Sequence, residues 1–441
     1  MQGLKRASLA DTIATLAEVI GPTFAKGVII RRPTVTRIAQ RLDLDGRGVR
    51  RMQRLRATYG TGPLVLNLPF RTQVLVMAPE DVHRVLDDTE VFSPASREKT
   101  AALAHLEPHA SLISEGQDRA VRRRFNEEVL DSKHDVHRMA AQFVAVAEEE
   151  ANRLLREAGT EGDLEWGPFN AAWHAMVRRV TLGEAARDDE AVTEMLAKLR
   201  QAANWAFLHP RRKGLLAEFH ARVDHHLQRA EPGTLAAMIA AADKQGNEAP
   251  SHQVAHWLFA FEPGAMAAFR ALALLAAHPE GMARAREDVA TAESRAKLPY
   301  LRGTVLEALR LWPTTPVILR ETRQETAWGA DSLPRDAHLI IYAPFFHRDD
   351  ERLDNAHRFD PEQWRDGPRA AGWPLIPFSG GPGICPARHL VPMLASAVLA
   401  PIIMSRDVSV VEPGTLDAGQ PMPGLLDAFS LRLRLAPRAA A

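Results

Sequence analysis

The sequence predicts a mainly α protein with small β-sheets. Two observations carry that prediction. From about residue 117 to 290, Ala, Leu, Glu and Arg dominate, and apolar residues recur at spacings of three and four, as on one face of a helix. Short β-rich runs fall outside that block, at 64–68, 73–77, 316–321, 337–342, 408–411 and 431–435. No internal repeat and no linker-like stretch interrupts the 441 residues. A single domain over 1–441 is therefore expected, with 1–60 as a basic N-terminal extension.

Composition narrows the function classes. Lys plus Arg equals Asp plus Glu at 55 each, so no overall positive field points to nucleic acid. One cysteine excludes an internal disulfide framework and suits a reducing cytoplasm. No apolar run approaches the roughly 20 residues of a membrane-spanning helix, so no transmembrane anchor is expected and the chain reads as cytoplasmic. Residues 1–60 hold twelve basic residues against four acidic ones, a solvated face or one that meets anionic lipid or an acidic partner.

In chain order, the runs 64–68 and 73–77 read as a hairpin. Pro79, followed by Glu80 and Asp81, opens a helix through Val82, Val85 and Leu86. Breaks in the helical block fall near 159–162, at Gly183, at His209-Pro210, at Pro232-Gly233 and near 246–250. A long helix spans about 251–278. Another covers 300–311 and stops at Trp312-Pro313, with Glu307 and Arg310 on one face at i, i+3.

The stretch Phe378-Ser379-Gly380-Gly381-Pro382-Gly383-Ile384-Cys385-Pro386-Ala387-Arg388 is too rich in Gly and Pro for a regular element. Pro386 suits a first helical position, so a shaped loop delivers Cys385 to a helix N-terminus. There the helix dipole and free N–H groups favour a thiolate, which is a soft metal ligand or a nucleophile.

This loop resembles the haem-binding loop of the cytochrome P450 family, Phe-x-x-Gly-x-Arg-x-Cys-x-Gly. Phe378, Gly381 and Cys385 match; Gly383 stands at the usual Arg or His, and Ala387 at the usual Gly. Glu307 and Arg310 match the family's Glu-x-x-Arg helix, about 75 residues before the cysteine. The family closes that pair with an Arg in a downstream segment, here Phe359-Asp360-Pro361-Glu362-Gln363-Trp364-Arg365. Gln363 replaces that Arg, and Arg365 is the substitute two positions on. The resemblance covers about 60–435 and implies haem b, Cys385 as axial metal ligand, and a structural role for Glu307 and Arg310. It assigns the haem propionates to Arg320 after the β-like run 316–319, and to Arg119 and Arg123, which share a helix face. Arg122 and Arg124 point elsewhere and form a landing surface for an acidic electron donor. His347-Arg348-Asp349 matches a further family segment and takes a structural role.

The register of the long helix follows from His278-Pro279. It places Phe259 at the family's small residue over the haem, Ala260 at the Gly, Glu262 at the acid and Pro263 at the Thr. The acid–alcohol pair that delivers protons in the family has therefore lost its alcohol. Pocket walls are expected from Trp257, Phe259 and Phe261, from 314–318 including Val317 and Ile318, and from Leu426 in the turn 424–429. Trp205, Phe207 and Phe219 would form a roof. The resemblance implies a monooxygenase that oxidises a small lipophilic molecule with dioxygen and electrons from NAD(P)H through a separate ferredoxin. Alternatives are a peroxide-using enzyme, a rearrangement or dehydration without oxygen insertion, and a haem-thiolate protein that binds ligand without turnover.

Overall fold

The computed structural model describes residues 4–365, 372–414 and 416–438. Pro79 at the first helical position and Glu80 and Asp81 in the first turn start the helix Pro79–Asp87, as the sequence predicts. The helical block resolves into Gly116–Val129, Ala140–Glu157, Trp166–Leu182, Glu190–Ala203, Lys213–Arg229, Leu235–Ala241, Pro250–Ala277 and Pro279–Thr291. The interruptions after 157, 182, 203, 229 and 241 coincide with the expected Gly and Pro breaks, while the one at 130–139 holds neither Gly nor Pro and was not expected. One break conceals a strand: Gly162–Glu165 pairs with Arg432–Pro437. Four residues flanked by glycines give too short an alternation to read as β. The hairpin of Thr326–Trp328 and Asp331–Leu333, turned at Gly329 with φ 64°, also escapes the pattern for want of length.

The chain divides into two compact units: 1–99, 309–385 and 421–427 form the first, and 100–308, 386–420 and 428–441 the second. No linker separates them. The chain passes from one to the other five times, once inside the helix Pro299–Leu311 and once at the Cys385–Pro386 bond.

The first unit is built on a six-stranded sheet in the order Lys5–Arg6, Leu64–Val65, Gln73–Leu75, His338–Tyr342, Val317–Thr322, Phe92–Ser93. Leu64↔Leu75 and Val65↔Val74 form the expected hairpin register. Val74, Leu75, Leu339 and Ile341, in its central strands, are fully buried. Residues 1–60, the basic N-terminal extension, pack within this unit. Their helices supply Val19, Val49, Met52 and Leu55 to the same core, and Lys26 and Asp45 form a buried ion pair beside it. Burial at about 25 cal/mol per Å² of apolar surface ties this segment into the unit.

The second unit is helical, with a three-stranded sheet of Arg406–Glu412, Arg432–Pro437 and Gly162–Glu165. Pro250–Ala277 runs through its core. This helix is long and apolar enough to cross a membrane, which the sequence reading did not anticipate, and 83% of its most apolar window is buried inside the protein. Gly264 allows that burial: a Cβ there would stand 2.9 Å from Val391 and 3.0 Å from Trp173.

Candidate functional site: a cysteine loop and a helix with one open face

In the first unit, the cysteine loop is fixed by its own backbone. Cys385 N–H donates to Phe378 O at 2.9 Å, and Ile384 N–H donates to Gly381 O at 3.0 Å. Gly381 adopts φ +59°, and a Cβ there would run into the Leu86 carbonyl oxygen. Gly381→Ala should therefore destabilise the protein by more than about 1 kcal/mol, because strain and collision act together. Denaturant midpoint and haem retention measured on the variant would check this.

The helix after the cysteine begins later than Pro386. Residues 386–389 form a turn, Val391 N–H donates to Ala387 O at 3.0 Å, and the regular helix is Leu390–Ser405. Pro392 thus lies in its first turn, where a missing N–H removes no bond. Cys385 is an unbridged, half-buried thiol.

Arg320 lies on the strand Val317–Thr322 and is buried. Side chains alternate along a strand, so Arg320 shares a face with Ile318, while Val317 faces the opposite way. Of the two predicted wall residues, Val317 is the more accessible and Ile318 is buried. Arg320 Nη2 stands 3.1 Å from where a Cβ of residue 383 would be, and 3.5 Å from Ser379 Oγ. The bare Gly383 is thus matched by a guanidinium arriving from the sheet. A soft sulfur ligand, a cradle that a side chain would fill and a buried cation beside it fit a thiolate-ligated haem with its propionates. Leu426 is fully buried.

Arg310 is fully buried and donates to the carbonyls of His347, Asn355, Ala356 and Arg358 at 2.8–3.2 Å. Arg365 is exposed, so the substitution read from the sequence is corrected: backbone carbonyls, not a second arginine, enclose Arg310. Gln363 turns its amide to Asp360 O at 3.1 Å. Glu307, three residues before Arg310, is equally buried. Arg348 donates to Leu311, Met422 and Pro423 carbonyls, and Asp349 pairs with Arg56.

In the second unit, Arg119 and Arg123 lie on Gly116–Val129 and are both half-buried. Arg119 donates to Ser111 O at 3.0 Å, and Arg123 pairs with Glu127 at 2.6 Å. Arg122 is buried and bonded to Ser114 and Asn247, so it is no part of a landing surface; only Arg124 stays exposed.

The long helix sorts its predicted residues by exposure. From Ser251 to Leu275 only His252, His256, Phe259, Ala260 and Pro263 are accessible, and their spacing puts them on one face. Phe259, Ala260 and Pro263 therefore line the open side. Trp257 and Phe261 do not. Trp257 donates to Asn126 and stacks on Phe125, and Phe261 O accepts from Trp173 Nε1 at 2.9 Å. Of the expected roof, Phe219 is buried, while Trp205 and Phe207 are exposed.

Glu262 also leaves the open face. It forms a buried ion pair with Arg200, whose guanidinium lies 5.0 Å over the Phe259 ring. Nothing in local sequence pattern links residues 200 and 262; only the packing of Glu190–Ala203 against the long helix joins them. Nearby, burial pushes His174 down to about 4, with Arg178 and Arg200 adding to that against the opposing pull of Glu262. Removing one partner leaves a buried charge uncompensated. Glu262→Gln should cost about 3–5 kcal/mol, and Glu262→Leu combined with Arg200→Met much less than the sum of the single changes. A double-mutant cycle in denaturant checks this.

Buried neutral histidines set an acid limit. Burial pushes His220 down to about 4, and burial with the Arg310 charge pushes His347 down to about 3. Their unfolded values are about 6.5, so below that pH the unfolded chain binds protons that the folded chain refuses. Stability should be complete above about pH 6.5 and fall as pH drops toward 4, by up to about 1.4 kcal/mol per pH unit for each group. Denaturant midpoints at stepped pH give the slope, and His220→Gln should reduce it.

Comparison with known proteins places this geometry. The family model "Cytochrome P450" matches residues 195–415, half of the chain. Cytochrome P450 81F4 of Arabidopsis thaliana is 32% identical over 142 residues, covering 32% of this chain and 28% of that protein. Cyclooctat-9-en-7-ol 5-monooxygenase of Streptomyces melanosporofaciens is 31% identical over 155 residues, covering 32% of this chain and 33% of that protein. The chain thus aligns over about a third of the length of the curated relatives it matches. The fold is that of the retinoic acid-bound cyanobacterial CYP120A1, with a TM-score of 0.70 at 16% identity over 88% of this chain and 94% of the other. The family model, the ordered motifs and the fold agree: this chain belongs to the cytochrome P450 family, whose cofactor is haem b.

Proposed function

We propose that the protein is a haem-thiolate monooxygenase acting on a small lipophilic molecule, with Cys385 as the axial ligand. The observation that carries this is the cysteine loop, in which the only cysteine is pinned by the Phe378 carbonyl and flanked by Arg320 against Gly383. Arg320, beside the cysteine loop in the first unit, is the residue that would hold a propionate, since a guanidinium fork suits a carboxylate. When bound, thiolate-ligated haem supplies the electron density that favours O–O cleavage.

The chain's own residues do the positioning. Phe259 sets how closely a substrate atom approaches, Ala260 leaves room beside it, and Pro263, inside an uninterrupted helix, offers neither hydroxyl nor N–H. No residue from 259 to 263 on the open face can donate a proton. Protons at this position therefore come from water or from a hydroxyl of the substrate. Electrons come from NAD(P)H through a separate ferredoxin, and the reaction runs in the cytoplasm. The curated relatives include a cyclooctat-9-en-7-ol 5-monooxygenase, whose named substrate is a hydrocarbon alcohol, and this supports a lipophilic substrate.

The locked Arg200–Glu262 pair favours one second reading, a peroxide-using or non-inserting enzyme that needs no acid–alcohol relay. A lipophilic compound panel, run with ferredoxin, reductase and dioxygen or with hydrogen peroxide alone, separates them. Products confined to the first arm support the monooxygenase; products chiefly in the second support the peroxide user. Binding without product in either arm moves the assignment to a rearrangement or a ligand-binding role.

A further inference from the structure

The open face of the long helix carries a group that the proposed haem chemistry does not use. His256 Nδ1 lies 2.7 Å from Glu107 Oε1, and Glu107 is fully buried. The other ring nitrogen, Nε2, has no hydrogen-bond partner among the described residues. The imidazole stands on the accessible stripe, 5.8 Å from the Phe259 ring. One ring nitrogen is therefore held from behind by a carboxyl, while the other is offered forward beside an apolar wall.

Charge balance decides what Nε2 offers. Arg200 is the one guanidinium that acts on Glu107, and it also pairs with Glu262; Arg178, which acts on His174, is turned to the Ala186 and Arg187 carbonyls instead, so around Glu107 one guanidinium faces two carboxyls. His174 adds no charge, being pushed down to about 4. The cluster is neutral only when the Glu107–His256 pair keeps an extra proton between Nδ1 and Oε1, and an uncompensated buried charge is expensive. Burial pushes Glu107 upward. Burial alone would lower His256, but the Glu107 carboxylate reverses this and holds it above its usual value. Wherever the shared proton sits, Nε2 carries a hydrogen and is a donor.

We propose that the Glu107–His256 pair is a substrate-recognition site, in which Nε2–H donates to a neutral carbonyl or hydroxyl oxygen on an otherwise lipophilic molecule. A carboxylate is excluded by chemistry: in a cluster already neutral it would bring a negative charge with no counter-charge left to meet it. The substrate class is thus a scaffold already oxygenated at one position, and the reaction that supplies it must install that oxygen. This rests on the haem-thiolate reading and adds to it the polar half of the substrate.

The probes are N-alkylimidazoles, which bind haem iron through their ring and extend a tail of graded length ending in methyl, hydroxyl, methyl ketone or carboxylate. Affinity is read from the Soret shift of the ferric protein. At one tail length the hydroxyl or ketone tail should bind about tenfold tighter than methyl, the scale of one desolvated hydrogen bond, and carboxylate should gain nothing. His256→Phe should erase that preference while leaving methyl tails within about twofold. His256→Gln, which keeps a donor, should retain part of it. Equal affinities at every length in the unaltered protein, or a preference that survives in His256→Phe, would overturn the proposal. If methyl-tailed imidazoles give no iron–nitrogen shift at all, the haem assignment itself fails and takes this site with it, an outcome distinct from lost preference.

Discussion

Cys385→His keeps haem and loses oxidation of every compound that the unaltered protein turns over. Imidazole is a competent iron ligand, so binding survives, but it is neutral and donates less electron density than a thiolate. The loop supports the exchange. Cys385 is held through its backbone N–H by Phe378 O, a bond that any residue at 385 can make. Loss of turnover with haem content and denaturant midpoint preserved therefore isolates the ligand from the fold. Product formation at an unaltered rate by Cys385→His would refute the assignment.

Arg310→Met unfolds the protein at markedly lower denaturant. Four backbone carbonyls converge on that guanidinium, all from residues 347–358. Methionine fills the space and leaves the acceptors buried without a donor, and the loss of one member of a buried charged group costs about 3–5 kcal/mol. The damage reaches the cysteine loop. His347, whose carbonyl Arg310 holds, accepts the N–H of Ile376 at 2.9 Å through Nε2, two residues before Phe378. Haem should therefore dissociate faster from Arg310→Met, measured by transfer to an apo-globin acceptor. A variant with unchanged midpoint and haem off-rate would show that the buried arginine does not support the loop.

The fold class was legible because helical periodicity and Gly/Pro breaks are local signals. Pro79, Gly183 and Pro232-Gly233 mark boundaries without reference to any partner. The cysteine loop was legible for the same reason, since glycine at 381 is required by a positive φ and a close carbonyl. Elements of three or four residues, such as Gly162–Glu165, carry too little pattern and exist because a neighbouring strand offers an edge. The site was legible as positions rather than directions. The sequence placed Trp257, Phe259, Phe261 and Glu262 on one helix, and only packing turned Trp257 to Asn126 and Glu262 to Arg200. Glu107, Arg200 and His256 come from three distant segments. The one signal for His256 was its place four residues before Ala260, on the same helical face.

The coordination of iron in the purified ferric protein tests the central claim most directly. X-ray absorption at the iron edge should show one sulfur neighbour beside the four porphyrin nitrogens, and Cys385→Ser should lack it. Only nitrogen and oxygen neighbours in the unaltered protein would contradict Cys385 as the haem ligand.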